Sequence, residues 1–196
     1  GAVVAVLLLS PSRVHSWGCA LAMVPISTAS IPPVIFPNWY RVRVGYFQVT
    51  LCDDGVCGCG AESIRGVTVF NYGTATGGAG GDITNMYYEG YWWPGKTPAS
   101  TGLIAMTYAG VWGGREAWTW AGATGDVGGN QVLDIRLYAT IAPCPTDGAT
   151  VQVGFPADYT LNPTWPGSFF DGCGCAVPYV TTMGTTSQQI RYVTKT

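Results

Sequence analysis

Charge is what this sequence has least of. Lys and Arg number 9 and Asp and Glu 11, together 10% of 196 residues, against roughly 25% in an average soluble domain. A chain of this mass exposes roughly 8,900 Å² when folded as a monomer, or about 450 Å² per charge where average usage gives about 180 Å². So bare a surface favours association. The balance of −2 leaves no basic footprint, so nucleic acid is not an expected partner. There is one histidine, His15, and no nucleophile pattern stands beside it. No apolar run reaches 18 residues, so no ordinary membrane-spanning helix is expected. Sustained 3.6-residue periodicity is missing, which argues against a helix bundle. Neither a Gly-x-Ser-x-Gly elbow nor an Asp-x-Asp-x-Asp calcium loop occurs. Five of the eleven acids sit beside glycine in expected turns, at Asp54, Asp82, Asp126, Asp147 and Asp171. Facing carboxylates for glycoside hydrolysis are therefore not expected, and the chain is read as no enzyme and as holding no cofactor.

What is present is the material of strands and turns. Hydrophobic residues make up 47% and aromatics 13%, which excludes disorder, and there are 28 Gly, 13 Pro and 22 Thr. Residues 131–141 alternate cleanly, with Leu133, Ile135, Leu137, Ala139 and Ile141 on one face and Asp134, Arg136, Tyr138 and Thr140 on the other. A strand begins at Trp39, where Tyr40, Val42, Val44 and Tyr46 alternate with Arg41, Arg43 and Gly45. Residues 66–71, 83–93, 149–155 and 188–194 supply further strands, and 103–112 with 115–121 form a hairpin about Gly113-Gly114. Residues 73–81 and 122–129 read as Gly-rich surface loops. With the N-terminal run there are about nine short strands at near-regular spacing, so the fold class is all-β, a β-sandwich or jelly-roll-like domain.

The chain divides at residue 38. Residues 39–196 form the single sandwich domain, and residues 1–38 an apolar N-terminal strand followed by an extended arm. Ala2, Val3, Val4, Ala5, Val6, Leu7, Leu8 and Leu9 are uninterrupted apolar residues. As the core of a signal peptide, with residues 19–22 as cleavage zone, they would need a basic flank that is missing. They are expected instead as a strand paired with another subunit. Pro11, Pro25, Pro32, Pro33 and Pro37 keep the following arm extended, and its apolar residues are expected to lie over a neighbour.

Seven cysteines, at 19, 52, 57, 59, 144, 173 and 175, leave at least one unpaired within the chain. Asp54-Gly55 and Asp171-Gly172 each precede a Cys-Gly-Cys. A Cys-x-Cys pair in extended chain rarely closes on itself, so Cys57, Cys59, Cys173 and Cys175 are candidates for two bridges between segments. A four-thiolate metal site is the alternative. Cys52 and Cys144 are candidates for a further bridge, and Cys19 is the odd one.

Residues 90–97 match the phosphate-loop pattern GxxxxGK[ST]. Two tryptophans fill that loop, Pro94 has no N–H to offer a phosphate, and Pro98 follows where a helix should begin, so no nucleotide is expected. Tyr87, Tyr88, Tyr91, Trp92 and Trp93 serve better as an aromatic interface or as a platform for stacking sugar rings. The expected function is a structural, self-assembling subunit of a secreted extracellular filament, pilus-like and joined by donor-strand addition, or of a virion capsid. Its partners would be copies of itself. A secreted carbohydrate-binding module using the Tyr87–Trp93 cluster is the alternative, with glycans as partners.

Overall fold

The computed structural model describes residues 21–51, 61–93, 100–128, 132–156 and 182–192. Among the described residues every regular element is a strand. A front sheet runs in the order β1 (Leu21–Pro25), β3 (Val42–Leu51), β9 (Val132–Ile141), β5 (Ile83–Trp93), β6 (Ile104–Ala105), antiparallel throughout. A back sheet runs β12 (Thr182–Met183), β11 (Val153–Phe155), β4 (Ala61–Asn71), β8 (Arg115–Gly128), β7 (Thr107–Trp112), also antiparallel. A small third sheet joins β10 (Thr150–Val151), β13 (Gln188–Ile190) and β2 (Val34–Ile35), the last pair parallel. The chain is an all-β sandwich.

The alternation of β9 places it. Leu133, Ile135, Leu137 and Ala139 are fully buried and Ile141 nearly so. They pack with Val44, Phe47, Val49, Met86 and Tyr88 of the front sheet and with Val67, Val69 and Trp118 of the back. Burying each such side chain is worth roughly 1.5–3 kcal/mol. The sheets meet through rings: Tyr88 stacks on Trp120 at 6.0 Å, and Phe47 meets Phe155 edge-on at 4.8 Å. The β7–β8 hairpin turns at Gly113 and Gly114 with φ of +56° and +77°. A two-residue turn with both φ positive matches strand twist, which is why two glycines stand there.

Two local expectations change. Residues 122–128 are not loop but the continuation of β8, paired with β4 from Ala61↔Gly128 to Ile64↔Gly125. The first long strand of the domain starts at Val42 rather than Trp39, since Asn38 and Arg41 take left-handed φ of +63° and +54° and turn the chain.

The described part of the arm, expected over a neighbour, lies on its own domain. Residues 21–25 pair with β3 from Leu21↔Leu51 to Pro25↔Phe47. Ile31 and Ile35 are buried in their own core. The prolines fit because only their carbonyls are needed: Gln189 N–H donates to Pro33 O at 2.9 Å. Residues 2–9, the expected intersubunit strand, lie outside the described residues.

Candidate functional site

Strand alternation divides the five aromatics of β5. Tyr88 and Trp92 point into the core, 0% and 2% exposed. Tyr87, Tyr91 and Trp93 face outward together with Glu89; Tyr87 is nearly covered, Tyr91 half-buried and Trp93 44% exposed. Register then brings in residues that the β5 sequence does not contain. Across β3, β9 and β5 the outward rungs read Arg43–Tyr138–Tyr87, Tyr46–Arg136–Glu89, Gln48–Asp134–Tyr91 and Thr50–Val132–Trp93.

One detail of β3 makes these rungs possible. Between Arg43 and Gly45 the register shifts by one residue, a β-bulge, so Val44 and Phe47 are both buried while Arg43 and Tyr46 share the outer face. The bulge falls beside Gly45, where an added Cβ would lie 2.6 Å from Val153 Cγ2 and 3.0 Å from the Phe47 ring. The carbonyl of Arg43 accepts a 3.0 Å hydrogen bond from Nε2 of buried Gln188, which anchors β13 to the bulge.

The outer face is cross-linked. Arg43 donates through Nη1 to Ser30 Oγ at 2.6 Å and through Nη2 to Tyr138 Oη at 3.0 Å. Tyr138 donates to Glu89 Oε2 at 3.1 Å, and Ser100 Oγ donates to Glu89 Oε1 at 3.4 Å. Arg136 Nη1 lies 3.6 Å from the same Glu89 Oε2 and its guanidinium sits 5.3 Å over the Tyr91 ring. Tyr46 donates to Asp134 Oδ2 at 2.8 Å. Burial raises the Tyr46 phenol above its ordinary pKa, and the hydrogen bond to Asp134 adds to the shift. Asp134 is 5% exposed, and among the described residues its Oδ1 has no hydrogen-bond partner. At the end of the face Arg41 lies over both Tyr40 and Tyr87, at 4.6 and 5.0 Å, and Tyr40 is 65% exposed. A left-handed φ costs a side-chain-bearing residue about 1–2 kcal/mol, and at Arg41 it sets this stack.

The sheet edges form a second feature. Among the described residues β1, β6, β12 and β7 are the edge strands of the two main sheets, and none contains a charged residue. β7 is the longest; Val111 on it is 60% exposed, and among the described residues nothing pairs with its outer side. Its register with β8 shifts once, between Tyr108 and Gly110.

Cys144 is an exposed free thiol. Cys52, its candidate partner, and Cys57, Cys59, Cys173 and Cys175 lie outside the described residues. Among the described residues no group of three potential metal ligands comes together, and no helix is long and apolar enough to cross a membrane. The first four positions of the phosphate-loop match, Gly90 to Trp93, are strand, paired with β9 from Gly90↔Ile135 to Trp93↔Val132. Their backbone is committed to a sheet.

The chain matches no protein-family model and no curated protein. It is similar to a solved structure described as "AvmM Catalyzes Macrocyclization in Alchivemycin A Biosynthesis", with 9% identity, coverage of 91% of this chain and 92% of that one, and a TM-score of 0.43. A likeness at that level carries no argument about function.

Proposed function

We propose that this protein is a structural subunit that assembles with copies of itself through its sheet edges, on a cell surface or in a virion. The observation that carries the reading is the uncharged edge. Folded monomers protect edge strands with lysines, inward charges or covering elements, because a free edge templates pairing with another chain. Here the edge strands carry no charge at all, in a chain with only 20 charged residues. In this reading β7 is the acceptor and the apolar segment at residues 2–9 is the donor. Backbone hydrogen bonds supply affinity, and alternate side chains of the donor set its register.

Two changes test it by size-exclusion chromatography with light scattering. Deleting residues 1–10 and substituting Val111→Lys should each convert wild-type polymers into folded monomers with unaltered far-UV circular dichroism. Val111 is exposed, so lysine there adds an edge charge without disturbing the core. Wild-type protein that stays monomeric at about 100 µM, well above the micromolar range of modest interfaces, would overturn the proposal.

A further inference from the structure

We infer that the outer face of the front sheet is a binding site for a neutral, polyhydroxylated chain, a glycan laid across β5 and β9. The inference is independent of the edges used in assembly.

The site is composed of six side chains: Arg43, Tyr138, Glu89, Arg136, Tyr91 and Trp93. The aromatic part comes from alternation along β5. Tyr91 and Trp93 lie two residues apart on one strand, so their Cβ atoms are spaced about 6.5–7 Å along the face; Trp93 is the more open, and Tyr91 is half-buried with the Arg136 guanidinium over its ring. Ring faces of this kind pack against the C–H faces of pyranoses while leaving hydroxyls free at the edges. The polar part comes from β9 and β3. Arg43, Tyr138, Glu89 and Arg136 are linked through hydrogen bonds of 3.0 and 3.1 Å and an ion pair of 3.6 Å, which fixes each head group before any ligand arrives. Pre-ordered donors next to pre-ordered acceptors suit a vicinal diol, whose every hydroxyl both donates and accepts, and lower the ordering cost of binding.

Charge selects the occupant. Of the two guanidiniums of the site, Arg136 pairs with Glu89 while Arg43 is bonded to the neutral hydroxyls of Ser30 and Tyr138, and Asp134 stands on the next rung of β9 beside Arg136. A phosphate backbone would meet those carboxylates on a chain of net charge −2, whereas stacking proteins for nucleic acid line their groove with unpaired cations. A neutral hydroxyl-rich ligand meets no such penalty. On the rung of Tyr91, Asp134 also carries one buried carboxylate oxygen that has no hydrogen-bond partner among the described residues.

The test is isothermal titration of the full chain with cellohexaose, xylohexaose and mannohexaose, with heparin and oligo-dT as charged controls. At least one neutral hexasaccharide should bind with quenching of tryptophan fluorescence. Trp93→Ala and Tyr91→Ala should each weaken binding about tenfold, the equivalent of about 1.4 kcal/mol. Glu89→Gln should weaken it comparably while leaving far-UV circular dichroism unchanged, and Val111→Lys should leave it intact. No binding of any neutral hexasaccharide at about 1 mM overturns the inference. So does binding that survives both aromatic substitutions, or preferential binding of a charged control. Loss of assembly in Trp93→Ala and Tyr91→Ala without sugar binding would place a second copy of the chain on this face instead.

Discussion

Asp82 closes its own loop onto Thr76 and ties it to the distant segment at Thr146, so its removal should be costly. Its side chain is 4% exposed. Oδ2 accepts from Thr76 N–H at 2.8 Å and from Thr76 Oγ1 at 3.0 Å, and Oδ1 accepts from Thr146 N–H at 2.6 Å. Asn at this position keeps one acceptor and turns an NH₂ toward a backbone N–H, so one bond becomes a donor–donor clash and the others lose their charge. A buried unsatisfied donor costs about 1–3 kcal/mol and each charge-assisted bond exceeds a neutral one. Together these give about 2–4 kcal/mol for Asp82→Asn, or a melting temperature lower by about 5–12 °C in a domain of this length. Burial by itself would raise the Asp82 pKa, but the hydrogen bonds from Thr146 and Thr76 outweigh it and hold the group below its ordinary value. The sign of the pH dependence follows. A depressed folded pKa contributes stability that is complete above the unfolded value of about 3.9 and is lost as pH falls through the folded value. Urea unfolding of wild type and Asp82→Asn should therefore differ by a constant amount from pH 7 to pH 5, and the gap should narrow below pH 4. A difference under about 0.5 kcal/mol at neutral pH, the level of an ordinary surface substitution, would refute the reasoning. A gap undiminished at low pH would do the same for its electrostatic part.

Two further outcomes are expected. Gly73→Ala should be severely destabilising, by about 3 kcal/mol or more, because its Cβ would stand 2.1 Å from the backbone oxygen of Thr150, which cannot rotate away; chemical denaturation against wild type measures it. Tyr108 should ionise at a pH of about 12, held up first by burial and then by its hydrogen bond to Glu116. In a spectrophotometric titration Glu116→Gln should lower that value only part of the way to 10.

The sequence by itself determined the class of the fold and most of its strands. Alternation along residues 132–141 made β9 a half-buried strand, and Gly113-Gly114 made the β7–β8 hairpin, because a side-chain period of two and a positive φ are local properties. The outward half of β9, Asp134, Arg136 and Tyr138, was legible on the same grounds. Tertiary structure alone decided what those residues face. Unbroken alternation from Tyr40 puts Tyr46 on the face opposite Arg43. The bulge at Val44 reverses the phase and sets the two side by side, at the point where a Cβ on Gly45 would lie 2.6 Å from Val153 Cγ2 on the other sheet. Likewise nothing local marked residues 122–128 as strand, since their hydrogen-bond partners lie some 60 residues away on β4. Pairing across that separation depends on which edges the closed sandwich brings together, and that information is distributed over the whole chain rather than held in any one segment.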